Sequence, residues 1–591
     1  MPLSSAASAT SPPPHTTQSS TRPKQKVRVL IVGAGAAGLS AAYALSQHPD
    51  RYHVTLYERS SNPGGMATSI GIDKSKYGAD YINDGVQGAS PVFHNTYAIF
   101  DLLGFKASDV DMQVSFGKDG ENEFWTNVFP SRVIDKSVFS KDIKKFGTAL
   151  KVIKTLEPIF AMVPVSGMLK MFRFSKEFGD TIVYPLVALF FGTGNQTPFI
   201  SSAILERVFM DPNMRLFEYS SDTFLASIPK MKAFPCLSML YDSWVTFVEE
   251  QGQGSVKVVL EREVTRIKRH SRSNGTVEVW SRPTKGTNNE QEVVAPGEEE
   301  SEIFDEIILC TDADAALRIL GDDAGWMEKR VLGNVKYLWD VTVTHSDLKY
   351  MEKYYRVRYD PTLCSEKNRE DPERQKRIKF AEDHFAPLYF IRSYPQDKSK
   401  LEMSFDLTCY QPQFDGVSPY GPHDKENGGD NNNNEPVPLD RHVFQTIFLD
   451  KDPRSAQYWS KEEINPKQII LQKWWKQQSH RWQHYAGTVP WMGLINGKNH
   501  TYFAGAWTVL SNGFCIGSWI SYDILTDMHE IAVVSGLAAA YRLGAAYPFA
   551  DNAECKRLFT LCLAANYMAR LRYCLQTSRH QRKEDRGGIF A

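Results

Sequence analysis

The chain has 591 residues, of which 42% are hydrophobic and 23% are charged, and its formal net charge is −1. This length predicts about two to four structural units, and the balanced charge does not favour nucleic acid as a partner. The eight cysteines form neither a C-x-x-C pair nor a Cys/His cluster with metal-ligand spacing. We therefore expect reduced thiols, a cytoplasmic protein and no metal site.

The first 26 residues are rich in Ser, Thr, Pro and Ala and lack the apolar run of a secretory signal. This composition predicts a disordered arm. Two uncharged stretches, 181–205 and 501–522, are long enough to cross a membrane, but glycines interrupt both of them and prolines the first. They are therefore predicted to be buried segments, and peripheral contact with a membrane surface stays open.

The segment VRVLIVGAGAAGLSAAYALS (27–46) joins a buried-strand pattern to a helical pattern through a glycine-rich turn. Gly33, Gly35 and Gly38 form G-x-G-x-x-G, with Ala36 and Ala37 between them. In such a turn the backbone approaches a pyrophosphate, and the helix N-terminus points its free amides at the phosphates. Glu58 ends the next predicted strand, where a carboxylate accepts hydrogen bonds from a ribose. The segment predicts a dinucleotide site.

A glycine pair, Gly64 and Gly65, follows the acidic residue in ERSSNPGGMATS. This extended pattern resembles the glutathione-reductase-type flavoproteins. Later segments, EVTRI (263–267), FDEIILCTDADAAL (304–317), HTYFAGAW (500–507) and MHEIAVVSGLAAAYRLG (528–544), are similar to those of flavin-containing amine oxidoreductases. The resemblance implies FAD and adds these cofactor-binding residues to the motif: Glu58, Arg59, Gly64, Gly65, Met66, Ala67, Val264, Gly505, Ala506, His529, Glu530 and Ile531.

The resemblance also bears on how the cofactor is attached. Relatives that bind FAD covalently use a cysteine near the C-terminal motif, and here Cys515 lies inside an unusual insertion at 511–527. We therefore expect non-covalent FAD. The insertion separates the flavin strand from its helix, and it is interpreted either as a lid over the cofactor or as a sequence error such as a retained intron.

Three residues are candidates for the chemistry. Asn83 and Gln87 lie in YGADYINDGVQG, which in relatives runs beneath the flavin ring, although turn and capping roles are an equal alternative. Lys336 lies in a strand-like run placed like the strand that carries a flavin-N5 lysine in amine oxidases, but a solvated lysine is the alternative. Hydride chemistry belongs to the cofactor, so no catalytic triad is required.

The resemblance predicts an α/β fold, in which a Rossmann-like FAD-binding domain is interleaved with a mixed-sheet plus helical substrate domain. An acidic loop (282–302) and a low-complexity insertion (419–438) interrupt it. The expected segments are an arm at 1–26, FAD-binding parts at 27–90, 256–330 and 491–548, a mainly helical part at 91–255, a substrate-domain sheet at 331–490, and a C-terminal helix with a basic tail at 549–591.

The expected function is oxidation of a small, largely apolar substrate, such as an amine, a lipid or a secondary metabolite, by hydride transfer to flavin N5. Oxygen is the expected acceptor. One alternative is a redox-neutral double-bond isomerase acting on a fatty acid or similar polyene. The other is a non-catalytic FAD-binding protein, which the insertion beside the flavin helix motivates. The sequence does not indicate an oligomeric state.

Overall fold

The computed structural model describes residues 25–118, 123–191, 195–210, 216–270, 275–284, 298–422, 437–508, 529–560 and 563. The insertion at 511–527 lies outside the described residues. So do nearly all of the N-terminal arm and most of the acidic loop, the low-complexity insertion and the C-terminal tail.

A five-stranded parallel sheet forms the first unit, and its strands come from widely separated parts of the chain. Val27–Val32 is the central strand, as the continuous β-branched pattern predicts for a strand buried on both faces. The predicted order of strand, helix and strand at the start of the chain is confirmed. In spatial order the strands are Val256–Val259, Tyr52–Tyr57, Val27–Val32, Glu306–Leu309 and Thr501–Phe503.

A seven-stranded mixed sheet forms the second unit. Most of its strands pair antiparallel, and one parallel pairing brings in residues from before position 130. The two units therefore alternate along the chain, which confirms the predicted interleaved α/β architecture. In spatial order the strands are Ile469–Gln478, Tyr337–His345, Phe444–Phe448, Asp397–Asp406, Tyr389–Tyr394, Val114–Phe116 and Trp125–Thr126.

Four small sheets lie around these two. Their strands, grouped by sheet, are Gly88–Ala89, Lys230–Ala233 and Ser108–Asp111; Arg262–His270, Thr276–Pro283 and Glu300–Phe304; Ser69–Gly71 and Tyr81–Asn83; and Tyr219–Ser220 and Phe224–Leu225.

Helices cover both units, and none of the described ones is long and apolar enough to cross a membrane. Those of seven residues or more are Ala36–Ser46, His94–Leu102, Ser137–Thr155, Val165–Met171, Tyr184–Phe191, Ala203–Met210, Leu237–Gln251, Ala313–Leu320, Trp326–Leu332, Leu348–Tyr354, Pro372–His384 and His529–Leu543. The shorter ones are Lys74–Tyr77, Glu157–Phe160, Lys176–Phe178, Leu407–Tyr410, Pro453–Ala456, Trp482–Gly487 and Met492–Ile495.

The first and last long helices pack closely against each other. All residues of Ala36–Ser46 are buried. At Gly536, on the last helix, a Cβ atom would lie 2.0 Å from the Ala37 carbonyl oxygen, so only glycine permits this approach. The contact brings the N-terminus of helix His529–Leu543 towards the glycine-rich turn, although the two segments are almost 500 residues apart.

Candidate active site

A cavity of about 530 Å³ lies between the parallel sheet and the mixed sheet. One end is lined by the glycine-rich turn and by the start of the last long helix. The other end is lined by apolar and aromatic side chains of the mixed sheet and its covering helices. A cavity between two units, with few polar groups, is the usual form of a cofactor and substrate site.

The three glycines of the first turn differ in whether the fold itself requires glycine at that position. Gly33 has φ +105°, and a Cβ there would lie 2.7 Å from the Cys310 carbonyl oxygen. At Gly38 a Cβ would lie 1.8 Å from the Gly33 carbonyl oxygen. The fold itself therefore requires glycine at these two positions.

Gly35 is different. Its backbone is extended, with φ −78°, and a Cβ there would meet only the Gly64 carbonyl oxygen, at 3.9 Å. Packing within the chain therefore does not require glycine at this position. Gly35 and its neighbours Ala36 and Ala37 line the cavity, so the missing side chain leaves room for a ligand that approaches the backbone. This fits the pyrophosphate of a dinucleotide.

The predicted glycine pair forms the adjoining wall. Gly64, Gly65, Met66 and Ala67 all line the cavity, and both glycines have positive φ. The Gly64 amide donates to the Ala34 carbonyl at 2.9 Å, which fixes this second loop against the first.

Glu58 ends its strand as predicted, but its carboxylate is already engaged. It accepts from the Ala34 amide at 2.8 Å and from the Ser60 amide at 2.9 Å. The carboxylate therefore also orders the glycine-rich turn. Neither Glu58 nor the exposed Arg59 lines the cavity, and neither does the buried Val264, so their predicted contacts with an adenosine half stay predictions.

His529 lies at the cavity wall, where it was expected. Its Nε2 lies 2.8 Å from the Tyr241 hydroxyl and its Nδ1 lies 3.0 Å from the Thr96 hydroxyl. Burial lowers the pKa of His529 from 6.5 to about 4, so the ring is neutral at physiological pH. Gly505 and Ala506 line the same wall, and the Gly505 amide donates to the Ser535 hydroxyl at 2.9 Å.

The two residues after His529 do not reach the cavity with their side chains. The Glu530 carboxylate accepts from the backbone amides of Asn95 and Thr96, at 3.0 and 2.7 Å. It thereby caps helix His94–Leu102, and Ile531 packs in the hydrophobic core. The structure does not support cofactor contact through either side chain, because helical geometry turns both towards the protein interior.

The two amide side chains proposed for catalysis differ in their position relative to the cavity. Asn83 is fully buried and donates to the carbonyls of Phe234 and Pro235, at 3.2 and 3.0 Å. It does not line the cavity, so the structure does not support a catalytic role for Asn83. Gln87 does line it, and its Nε2 donates to Gln445 Oε1 at 2.8 Å.

Lys336 does not reach the cavity. It precedes strand Tyr337–His345, and its side chain is exposed, so the structure does not support its role near a flavin. The lysine at the cavity is Lys476, on the neighbouring strand, whose ammonium group forms ion pairs with Asp312 and Asp314 at 3.1 and 2.7 Å. The strand-like pattern after Lys336 does belong to the mixed sheet that lines the cavity. Which lysine of this sheet reaches the cavity depends on the pairing of strands that are far apart in the sequence.

A second ion pair lies beside the cavity. Lys473 Nζ is 2.9 Å from Asp84 Oδ2, and the Asp84 side chain is 1% exposed. Thr68 donates its hydroxyl to the other Asp84 oxygen at 2.5 Å. Asp84 lines the cavity, so this part of the wall is polar but electrically balanced.

The apolar end of the cavity was not predicted residue by residue. Tyr389 and Tyr410 face each other with ring centroids 5.5 Å apart, and Phe405 lies 4.8 Å from Tyr389. Burial raises the pKa of Tyr410 to about 12, so its hydroxyl stays protonated. The sequence indicated such a compartment only through its richness in aromatic residues, and this richness does not show which rings contact each other. The remaining apolar lining of this end includes Met112, Leu189, Leu216, Met231, Met403 and Ile447.

Three residues of the cavity wall each carry a buried polar atom that has no hydrogen-bond partner among the described residues. Gln87 Oε1, Gln478 Oε1 and Ser90 Oγ have no partner in the described structure, and all three residues line the cavity. Leaving such acceptors unpaired costs about 1–3 kcal/mol each. The fit of the implied cofactor rests instead on Gly35, where the chain leaves room beside the backbone for a pyrophosphate. The residues present therefore fit the implied cofactor.

One three-residue group has the composition of a metal site. Asp406, Cys409 and His442 bring their ligand atoms within 4.8 Å of one another. His442 already uses both ring nitrogens, with Asp406 at 2.7 Å and the Val437 carbonyl at 2.9 Å. Burial raises the pKa of the Cys409 thiol, so it does not offer a thiolate. The group is interpreted as a hydrogen-bonded ion pair.

Comparison with known proteins identifies the first part of the chain. Residues 31–100 match the sequence model of the NAD(P)-binding Rossmann-like domain family. This segment is therefore similar in sequence to NAD(P)-binding Rossmann-like domains. The peroxisomal N(1)-acetyl-spermine/spermidine oxidase of Bos taurus is 38% identical over 96 residues, which are 16% of this chain and 18% of that protein. The chain thus aligns with about one fifth of this curated relative.

Solved structures resemble nearly the whole chain. A putrescine oxidase bound to putrescine has a TM-score of 0.52 and 14% identity, over 88% of this chain and 100% of that one. The CLA-producing fatty acid isomerase from P. acnes has a TM-score of 0.50 and 14% identity, over 88% of this chain and 99% of that one. At this identity the comparison shows a shared fold. The chain shares the fold of these two structures.

Proposed function

We propose that the protein is an FAD-dependent oxidoreductase that oxidises a small, largely apolar substrate by hydride transfer to flavin N5. One observation carries the proposal: a single cavity connects a dinucleotide-binding glycine turn with an apolar, aromatic compartment. Bound FAD supplies the hydride acceptor. Oxygen is the proposed final acceptor of the electrons.

The chain's own residues bind the cofactor and exclude water. The Gly35 turn and the N-terminus of helix Ala36–Ser46 hold the pyrophosphate. Gly64, Gly65, Gly505 and neutral His529 form the walls beyond it. Gln87 and Gln478 contribute polar side chains to the same wall.

The far compartment favours an apolar substrate. Its lining consists of aliphatic, methionine and aromatic side chains, with the protonated Tyr410 hydroxyl among the polar groups. Asp84 and Asp312 are the carboxylates among the described lining residues, and each is paired with a lysine, Lys473 or Lys476. This arrangement does not favour a doubly charged diamine, because neither of its two ammonium groups then meets a carboxylate that is not already paired.

The test is anaerobic reduction of the purified holoenzyme, followed by visible absorbance. Benzylamine, linoleic acid and putrescine serve as an apolar amine, an apolar lipid and a dication. We expect bleaching of the flavin by an apolar compound and none by putrescine. Bleaching by putrescine alone contradicts the substrate class, and failure of every apolar amine and lipid tried, while dithionite still bleaches, contradicts the oxidase proposal.

A matched variant separates substrate binding from cofactor binding. Ile447→Trp places a large ring on the cavity wall formed by the mixed sheet, whereas the glycine turn belongs to the parallel-sheet unit. We expect wild-type flavin content and loss of substrate-dependent bleaching. Loss of flavin in this variant places Ile447 near the cofactor instead.

A redox-neutral isomerase of a fatty acid is the second candidate. The apolar compartment suits an acyl chain, and the structurally similar P. acnes protein is a fatty acid isomerase. Product analysis of linoleic acid with an oxygen electrode separates the two. A shifted double bond without oxygen uptake supports the isomerase.

A further inference from the structure

An exposed surface that combines basic and apolar side chains lies on the helices next to the apolar compartment. Its basic part is a stripe on helix Ser137–Thr155. Lys141, Lys144, Lys151 and Lys154 are exposed at helical spacing, while the opposite side of the helix packs Ile143, Phe146, Leu150 and Ile153 into the core.

The apolar part follows directly. Twelve large apolar or aromatic side chains are exposed among the residues that the structure describes, and five of them lie between residues 156 and 199, which is a concentration rather than a scatter. They are Leu156, Ile159, Met162, Met171 and Phe199, and Met171 is 60% exposed. Lys170 and Arg173 are exposed among them. These eleven residues are called the basic–apolar face.

Contacts show that the face is continuous. The rings of Phe160 and Phe172 stack with centroids 5.9 Å apart, which joins the turn at 156–162 to the end of helix Val165–Met171. Lys145 Nζ donates to the Arg173 carbonyl at 2.7 Å, which joins the basic helix to the same end. The Val165 amide donates to the Ile200 carbonyl at 2.8 Å, which brings Phe199 beside them.

The charge on this face has one sign. Between 136 and 176, where the structure describes every side chain except that of residue 138, both acidic residues are buried. Asp142 pairs with Lys145 at 2.7 Å, and Glu157 pairs with Arg207. Lys154 also pairs with the buried Glu206 at 3.5 Å, and the exposed Glu177 follows this segment directly. Among the described side chains of 136–176 the exposed charges are all positive. An anionic, partly apolar surface is complementary to this face.

We propose that the basic–apolar face docks on an anionic lipid surface. Lysine and arginine side chains attract acidic headgroups, while exposed apolar side chains insert at the boundary with the acyl chains. The neighbouring helix Tyr184–Phe191 carries Leu189, which lines the apolar compartment. Docking on this face therefore places the compartment close to a source of apolar molecules.

The test is co-sedimentation of the full-length protein with vesicles of phosphatidylcholine alone, or of phosphatidylcholine with phosphatidylserine. We expect binding to the phosphatidylserine vesicles, weakened by added salt. Lys151→Gln and Lys170→Gln should each weaken binding about five-fold. Ile159→Ser and Met171→Ser should each weaken it about ten-fold.

Lys329→Gln and Trp326→Ser are the matched controls, because both residues are exposed on the other unit. They should bind vesicles like the wild type, and circular dichroism confirms that all variants are folded. Three results overturn the proposal: no binding to either vesicle, full binding by the face variants, or equal losses in the controls. A face variant that changes only the oligomeric state, with no vesicle binding by the wild type, identifies a protein contact instead.

Discussion

At the scale of single residues, the glycine turn shows at which positions the fold requires glycine and at which position it does not. Gly33 and Gly38 have no room for a Cβ because backbone oxygens lie 2.7 and 1.8 Å from its position. Gly35 has ordinary dihedral angles and open space beside it. The same motif thus contains two glycines that the fold needs and one, Gly35, that packing does not require and that we propose a ligand needs.

Gly35→Val tests this distinction. The side chain is expected to enter the cavity without disturbing the protein, so the variant should fold and lose flavin, with affinity reduced roughly ten-fold or more as phosphate–amide hydrogen bonds are lost. Flavin content and circular dichroism measure both properties. Gly38→Ala is the control and should fail to fold, because its Cβ overlaps the Gly33 carbonyl. Retention of full flavin by Gly35→Val contradicts the assignment.

His529 predicts a pH dependence of stability. Burial lowers its pKa from 6.5 to about 4 in the folded protein. Below about pH 6.5 the unfolded chain therefore takes up a proton that the folded chain does not, so the free energy of unfolding falls as the pH drops towards 4. The loss from this group reaches about 3 kcal/mol. Denaturant unfolding of the wild type and His529→Gln across this range measures it.

Two other buried histidines act in the same direction. His345 and His484 have pKa values lowered to about 4 and about 3 by burial. His529→Gln should therefore flatten only part of the slope, whereas the exposed His53→Gln should leave it unchanged. An identical slope in His529→Gln and the wild type contradicts a buried neutral His529.

Sequence reasoning at this scale worked where the chemistry is local. The glycine turns were predicted because their residues are consecutive and the backbone determines their role. Lys336 and Asn83 do not line the cavity. Tyr389, Tyr410 and Lys476 do line it but were missed, because strand pairing between distant segments decides which side chains meet.

At the scale of elements, one carboxylate connects the last long helix to an earlier one. Glu530 accepts two backbone amides at the start of helix His94–Leu102, and Asn95 Nδ2 adds a third bond at 2.8 Å. A negative charge there also interacts favourably with the helix dipole. This contact holds the wall that carries His529 in position.

Glu530→Gln should lower the free energy of unfolding by about 1–3 kcal/mol, because the amide NH₂ must then face a backbone donor. Flavin content should stay at the wild-type level, since the Glu530 side chain does not reach the cavity. Chemical denaturation and absorbance measure the two effects. Glu250→Gln, on an exposed helix face, is the control and should change neither. Loss of flavin with unchanged stability supports the contact that the sequence resemblance implied.

The helices and strands themselves were easier to predict than the elements against which they pack. Val27–Val32 and Glu306–Leu309 were expected as buried strands from their apolar runs, and the last helix was expected from the resemblance of its segment to flavin-containing amine oxidoreductases. The approach of the last helix to the first depends on a single glycine, Gly536, whose role is invisible without its partner Ala37. Periodicity predicts an element, whereas packing decides what the element touches.

At the scale of the whole molecule, the interleaved chain produces the cavity. Strands of the parallel sheet come from positions 27 to 503, and the mixed sheet is made of segments between them. The wall of the cavity therefore contains residues from both units, with cofactor-binding turns at one end and apolar side chains at the other. A bound dinucleotide contacts both units and so stabilises their arrangement.

The central claim is that this cavity binds FAD non-covalently. The most direct measurement is the visible absorbance spectrum of the purified full-length protein, before and after acid precipitation. We predict the two-band spectrum of an oxidised flavin, with all colour released into the supernatant. Colour that stays in the pellet contradicts non-covalent binding, and a colourless protein that added FAD does not reconstitute contradicts the cofactor assignment itself.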